Sequence, residues 1–404
     1  MLVKSETSDA KLPRLLFVSP RFLFPADTGG QIRSGQILRH LNNRRFDITL
    51  ISPADAQQEK VHADDLHLVC NKFIRYRPPQ RGLSADVKRA LSLLHPLPAS
   101  VFSDNSAELR SILSELQLEH QVVIYDFIHS AVNYVPQDSA RTILFTHNVE
   151  QNIYRRNAQL NGAPWKRMIW RSQWKKMARF ENDALGRFYR ILTVSELDAE
   201  FFRRTHPDAD IKTIPTGVDV DYFKYAPPND SKTIFFVGSM DYSANIDGVR
   251  WFLQDVWPMV RERHADALVK IIGRYPPPAL VDRFGRDDRV TFTGWVKDVY
   301  QESKDGSVNI VPLRIGSGTR IKMYESLAMG IPIVSTTIGA EGLPVVHEQH
   351  FLKADDAGEF ADAIDSLLRD ADVRARLSRN GRELVEKKFT WEKVADAFAD
   401  HCEF

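Results

Sequence analysis

The chain is poor in cysteine. Cys70 and Cys402 are its only two and lie near opposite ends of 404 residues. That argues against a disulfide framework and a structural zinc site, and for a reducing compartment. An excess of either charge is also missing. With 54 Lys plus Arg against 53 Asp plus Glu, the formal net charge is +1, so no global field favours nucleic acid. No apolar run approaches the ~18 residues of a membrane span. Met1 to Arg14 carries Lys4, Glu6, Asp9, Lys11 and Arg14, not the apolar core of a signal peptide. The expected location is cytoplasmic. Chemical signatures are absent too. There is no Gly-x-Ser-x-Gly elbow, no Gly-x-Gly-x-x-Gly after the first strand and no Gly-Lys-Ser/Thr of a Walker loop. No histidine–glutamate or cysteine cluster has zinc spacing. A serine hydrolase and a nicotinamide enzyme are therefore disfavoured. Low-complexity tracts and short repeats are lacking as well.

What is present is an alternation. Short apolar runs at Leu15–Ser19, Phe46–Ile51, Val122–Tyr125, Thr142–Phe145 and Arg190–Val194 read as strands, and the segment Leu66–Tyr76 holds a further one. Helical patterns separate them at 31–42, 83–95, 107–118 and 164–188. The pattern restarts after Ile211–Thr216 and a turn-rich linker, Tyr225–Ser231. Strands follow at 233–237, 267–272, 290–293, 308–311, 331–335 and 350–352, with a helix expected over Asp247–Arg263. Strands alternating with helices mean parallel sheets covered on both faces. The expected fold is α/β, two Rossmann-like domains at 1–217 and 218–404 with their sheets facing across a cleft. The last helices are allowed to pack back on the first domain. In such sheets sites lie beyond the carboxyl ends of strands. Gly29-Gly30, Asp126 to His129, His147 and Ser195 all sit there.

One stretch carries most of the chemistry: Gly316-Ser317-Gly318-Thr319-Arg320-Ile321-Lys322-Met323-Tyr324-Glu325. It reads as a glycine-rich turn leading from a strand into a helix. The first helical amides point outward with partial positive charge and suit a phosphate. Arg320 and Lys322 add full charges, and Glu325 is placed one turn on to accept hydrogen bonds from ribose hydroxyls. The alternative is an ordinary βαβ turn with a solvated basic start.

The ordered set of motifs resembles a retaining glycosyltransferase of the GT-B type, in glycosyltransferase family 4. Its pieces are Pro25-x-x-x-Gly29-Gly30, Phe145-Thr-His147-Asn, Thr193-Val-Ser195-Glu196 and Ile214-Pro-Thr-Gly217-Val-Asp219. Phe236-Val-Gly238, Ile271-Ile-Gly273, Thr291-Phe-Thr-Gly294-Trp-Val296, the glycine-rich stretch with Gly330-Ile-Pro-Ile-Val-Ser335, and Phe389-Thr-Trp391 complete it. The resemblance implies a nucleotide sugar held mainly by the second domain. It implies Glu325 on the ribose, Arg320 and Lys322 on the diphosphate with the Gly318 and Thr319 amides, and Gly238-Ser239 nearby. Trp295 and Val296 would lie near the base. Gly29 and Gly30 would let backbone approach the phosphate or sugar, and His147 would stand near the donor sugar.

Two departures stand out. The first glutamate of the family's pair falls at Ser317, and Gly238-Ser-Met-Asp-Tyr-Ser243 replaces the usual Arg and Lys after the second domain's first strand. Arg320 and Lys322 take over those charges, and Ser317 is the candidate reader of sugar hydroxyls. The implied reaction is a retaining transfer to a glycan or lipid-linked acceptor, without cofactor or metal. A nucleotide-sugar epimerase and a non-catalytic nucleotide-sugar-binding protein share these features. Asp208-Ala-Asp210 and Asp219-Val-Asp221 have the form of a metal-binding Asp-x-Asp, but both lie in loops at the domain junction. The helix at 164–188 is basic and carries Trp165, Trp170 and Trp174. It reads as a peripheral membrane contact, as a site for an acidic polysaccharide or a lipid diphosphate acceptor, or as a helix packing its tryptophans on the sheet.

Overall fold

The computed structural model describes residues 11–77, 92–136, 141–160, 164–315 and 321–402. The chain divides into two compact units: Met1–Pro215 with Ala395–Phe404, and Thr216–Val394.

The first unit holds a seven-stranded sheet in the order β3-β2-β1-β4-β5-β6-β7. The strands are β1 Arg14–Val18, β2 Asp47–Pro53, β3 Lys72–Tyr76, β4 Val122–Asp126, β5 Arg141–Phe145, β6 Arg190–Thr193 and β7 Ile211–Thr213. Every pairing is parallel. Parallel strands are covered on both faces, so they appear as continuous apolar runs; Leu15 to Val18 and Val123 to Tyr125 are fully buried. Phe398, in the closing helix, packs edge-on against Phe145 at 5.2 Å, and Arg45 meets Asp400 at 2.9 Å.

The second unit holds six parallel strands in the order β10-β9-β8-β11-β12-β13. These are β8 Thr233–Val237, β9 Leu268–Ile272, β10 Val290–Gly294, β11 Val308–Val311, β12 Ile333–Ser335 and β13 Leu352–Lys353. Its core gathers Phe236, Phe252, Val256, Ile310, Phe360 and Ile364.

The strand expected within Leu66–Tyr76 is β3, and a helix, Ala63–Val69, precedes it and buries Leu66 and Val69. One expectation is revised. The single helix expected at Asp247–Arg263 is Ser243–Trp251, a π-helical turn at Phe252–Val256, and Trp257–Arg263. Pro258 has no N–H to give the preceding turn, and the wider turn relieves that conflict. A helix at Glu150–Leu160 was not expected. Its first amides, of Glu150 and Gln151, donate to the Glu181 carboxylate at 2.9 and 3.4 Å, a cap supplied from far along the chain. Burial pushes that carboxyl up to about 8 against those hydrogen bonds. The helix expected at 83–95 lies largely outside the described residues.

Gly217 and Trp391 belong to two of the sequence motifs and meet inside the second unit. A Cβ on Gly217 would fall 2.5 Å from the indole, while Val218 donates to the Phe389 carbonyl at 2.7 Å. Gly217→Ala should therefore cost about 1–3 kcal/mol by overpacking. Urea denaturation that leaves the midpoint unchanged would show the indole can yield.

Candidate functional site

In each sheet the strand order reverses once, between β1 and β4 and between β8 and β11. The crevice outside the strand ends at such a point is where open α/β sheets bind ligands. Both reversals carry polar clusters.

In the second unit, the Ile321–Met329 helix buries Met323, Tyr324, Leu327 and Ala328. That leaves Lys322 and Glu325, three residues apart, side by side on its other face. The Lys322 ammonium stands 4.1 Å from the Phe236 ring centroid and 3.4 Å from Asn245 Oδ1. A Cβ on Gly238 would approach Lys322 Nζ to 3.0 Å, so the glycine after β8 keeps room for the cation. Gly238 and Gly273 also abut: a Cβ on Gly273 would meet the Gly238 carbonyl oxygen at 1.9 Å. Asn245 Nδ2 donates to the Ser239 carbonyl at 2.8 Å. Ser239 Oγ donates to Asp241 at 2.6 Å and accepts from Arg274 Nε at 3.1 Å. Arg274 was missed from sequence. It follows Gly273 just past β9 and brings a second cation to the strand ends. Its position one residue beyond a strand–glycine end was the available signal.

Glu325 is partly buried, and its carboxylate takes part in no hydrogen bond among the described residues. Burial pushes its carboxyl up to about 7, and the charge of Lys322 only partly opposes this. Glu325 also raises Tyr222, which burial, Asp298 and Glu325 together push to about 12. Tyr222 Oη donates to Asp298 Oδ1 at 2.6 Å. Val296 packs near Tyr300 and Phe223 over Phe235, Ile272, Met329 and Ile331. Trp295 follows Gly294, whose φ is +69°, and is 72% exposed. Ser317, Gly318, Thr319 and Arg320 lie outside the described residues.

If Glu325 receives both ribose hydroxyls, the ionised form receives them best, because both of its oxygens then only accept. Nucleotide binding should then tighten as pH rises through 7, by up to about tenfold between pH 6 and 8. Phosphate ionisation contributes its own trend. The measurement is therefore the difference between wild type and Glu325→Gln by calorimetry, and parallel pH curves would remove the carboxylate from the site.

In the first unit, Asp126 closes β4 and is fully buried. It accepts from Ser19 Oγ at 3.1 Å, from Ser34 Oγ at 3.0 and 3.1 Å, and from His147 Nε2 at 2.6 Å. His147 Nδ1 faces Arg33 Nη1 at 2.8 Å. A guanidinium can only donate, so Nδ1 carries the lone pair and Nε2 the proton. Burial, with Arg33 alongside, lowers the imidazole below its ordinary value despite Asp126. The ring is 4% exposed and stacks on Phe127 at 4.0 Å. Both nitrogens are engaged, so His147 holds the cluster together in this state. Phe127 adopts φ +60°, left-handed for a bulky side chain. A Cβ on Gly30 would come 2.4 Å from its ring. Gly30 thus has a packing requirement that is independent of any phosphate. Gly29 opens the Gly29–Leu41 helix, which Thr28 and Gln31 cap reciprocally. Arg33, Ser34 and Ser19 were missed.

The remaining sequence candidates have local partners. Ser195 caps the Glu196–Thr205 helix through Asp198 N at 3.2 Å. His129 Nε2 lies 3.2 Å from Ser100 Oγ. Asp210 pairs with Arg190 at 2.6 Å and Lys212 at 3.1 Å. Asp219 Oδ1 accepts from the amides of Asp221 and Tyr222 at 3.1 and 2.9 Å.

Two Rossmann-like parallel-sheet domains define the GT-B fold, and solved structures share it. The sucrose-phosphate synthase of Thermosynechococcus elongatus superposes with a TM-score of 0.70 at 17% identity, over 96% of this chain and 98% of that one. Residues 231–370, within the second unit, match the family model of glycosyl transferases group 1. An uncharacterized 44.6 kDa protein in the cps region of Klebsiella pneumoniae is 21% identical over 95% of this chain and 98% of its own length. The phosphatidyl-myo-inositol mannosyltransferase of Mycobacterium leprae is 30% identical, but over only 46% of this chain and 52% of that protein.

Proposed function

We propose that this chain is a retaining glycosyltransferase, moving a hexose from a nucleotide sugar to a glycan or lipid-linked acceptor in cell-surface polysaccharide or glycolipid synthesis. The observation that carries the reading is the placement of Lys322 and Glu325. A cation and a carboxylate that makes no hydrogen bond among the described residues share one helix face at the topological reversal of the second sheet. The match of residues 231–370 and the names of the similar proteins support the same class.

In this reading Lys322, Arg274 and Arg320 stabilise the diphosphate as it gains charge on leaving. Glu325 takes the ribose hydroxyls, and Ser317 reads the sugar. Bond breaking leaves an oxocarbenium-like sugar. An acceptor hydroxyl attacking from the departing side passes its proton to a phosphate oxygen, and configuration is retained. The cations supply the charge a metal would otherwise bring, so activity should survive chelation by EDTA. His147 acts as a positioning residue that fixes Arg33 and Asp126.

The test incubates the protein with a panel of nucleotide sugars, with and without glycan and lipid-linked acceptors, and follows nucleotide release and the product anomer by NMR. Acceptor-dependent release with a retained anomer is expected. A rearranged sugar formed without acceptor would establish the epimerase. Donor binding with no turnover on any acceptor would establish a binding protein, and an inverted anomer would overturn retention.

A further inference from the structure

The Pro164–Leu185 helix divides sharply along its length. Its second half buries Met177, Phe180, Glu181, Ala184 and Leu185. Its start does the opposite: Trp165 is 60% and Met168 68% exposed, well beyond the partly buried Trp170 and Trp174. Trp170 packs edge-on against Tyr154 at 5.5 Å and belongs to the helix's seating. Trp165 instead carries only Lys166, 5.4 Å above its ring, among the described residues.

The charge pattern is equally one-sided. From Pro164 to Arg179 the helix holds six Lys or Arg residues and no Asp or Glu. Among the described residues Lys166, Arg167, Arg171 and Lys175 form no ion pair, and only Lys176 is committed, to the Leu93 carbonyl at 2.6 Å. Lys166 and Arg167 stand in the first turn, where the helix dipole is already positive and acids are the stabilising choice. Local stability therefore does not account for their placement. An anionic surface would offset both the side chains and the dipole. Exposed Trp and Met beside unpaired cations, on a helix with too many charges to span a bilayer, fit interfacial adsorption.

We propose that the stretch from Trp165 to Lys175 docks on an anionic phospholipid bilayer. Trp165 and Met168 enter the headgroup boundary, and Lys166, Arg167, Arg171 and Lys175 meet lipid phosphates. This docking does not depend on the donor site, since none of these residues belongs to it.

Vesicle flotation tests it, with phosphatidylcholine alone and mixed with phosphatidylglycerol. The full chain should float with the mixed vesicles and not with the neutral ones, and added salt should weaken binding. Each exposed cation near such a surface is worth on the order of fivefold in partitioning. Lys166→Glu with Arg167→Glu should thus lower binding by at least about tenfold. Trp165→Ser with Met168→Ser should also release the protein. Both pairs should leave the melting temperature and donor binding unchanged, because the side chains are exposed. Absence of binding to mixed vesicles, or variants that bind like wild type, would overturn the proposal. So would retention on an acidic polysaccharide column without vesicle binding, which would assign the surface to a polyanionic glycan.

Discussion

Lys322→Met is expected to lower kcat/KM for sugar transfer by about 10²–10³-fold, the usual loss when one preorganised donor to developing charge is removed. Methionine keeps an apolar stem against Phe236 and deletes only the ammonium. The fold should therefore survive, and thermal melts should nearly coincide with wild type. A transition-state role predicts a larger fall in kcat than rise in KM. Equal activity in the variant would mean that the diphosphate is not gripped there, whatever nucleotide binds.

Asp126→Ala should be the most destabilising single change in the first unit, costing about 3–5 kcal/mol. Three donors converge on that carboxylate, from Ser19, Ser34 and His147, and its side chain is fully enclosed. Removing it leaves the His147 N–H without a partner and the Arg33–His147 contact without a nearby anion, and each orphaned buried donor is penalised. Urea titration measures the loss directly. A cost under about 1 kcal/mol would mean that water or the serine hydroxyls take over its role.

The sheets were legible because buried parallel strands are written as unbroken apolar runs, such as Leu15 to Val18 and Ile234 to Val237. Glu150–Leu160 was not, because its cap is Glu181, which reaches it only after folding. Half of each candidate cluster was readable for a similar reason. Lys322 and Glu325 announce themselves by helical spacing after a glycine-rich turn. Arg33 looks like any solvated helix arginine until His147 arrives from the end of β5 to receive it. In sequence Gly30 looks like room for a ligand, and folding adds a second reason for it, the ring of Phe127 beside it. Trp165 and Trp170 are equivalent in sequence, and only the presence of Tyr154 separates a packed indole from an exposed one.

The most direct test is a crystal structure with an intact nucleotide sugar or its nucleoside diphosphate. The expected complex has a diphosphate oxygen within hydrogen-bonding distance of Lys322 Nζ and both ribose hydroxyls donating to the Glu325 carboxylate. A nucleotide bound at any other place, with Lys322 and Glu325 unchanged from their present contacts, would contradict the assignment of the second unit as the donor site.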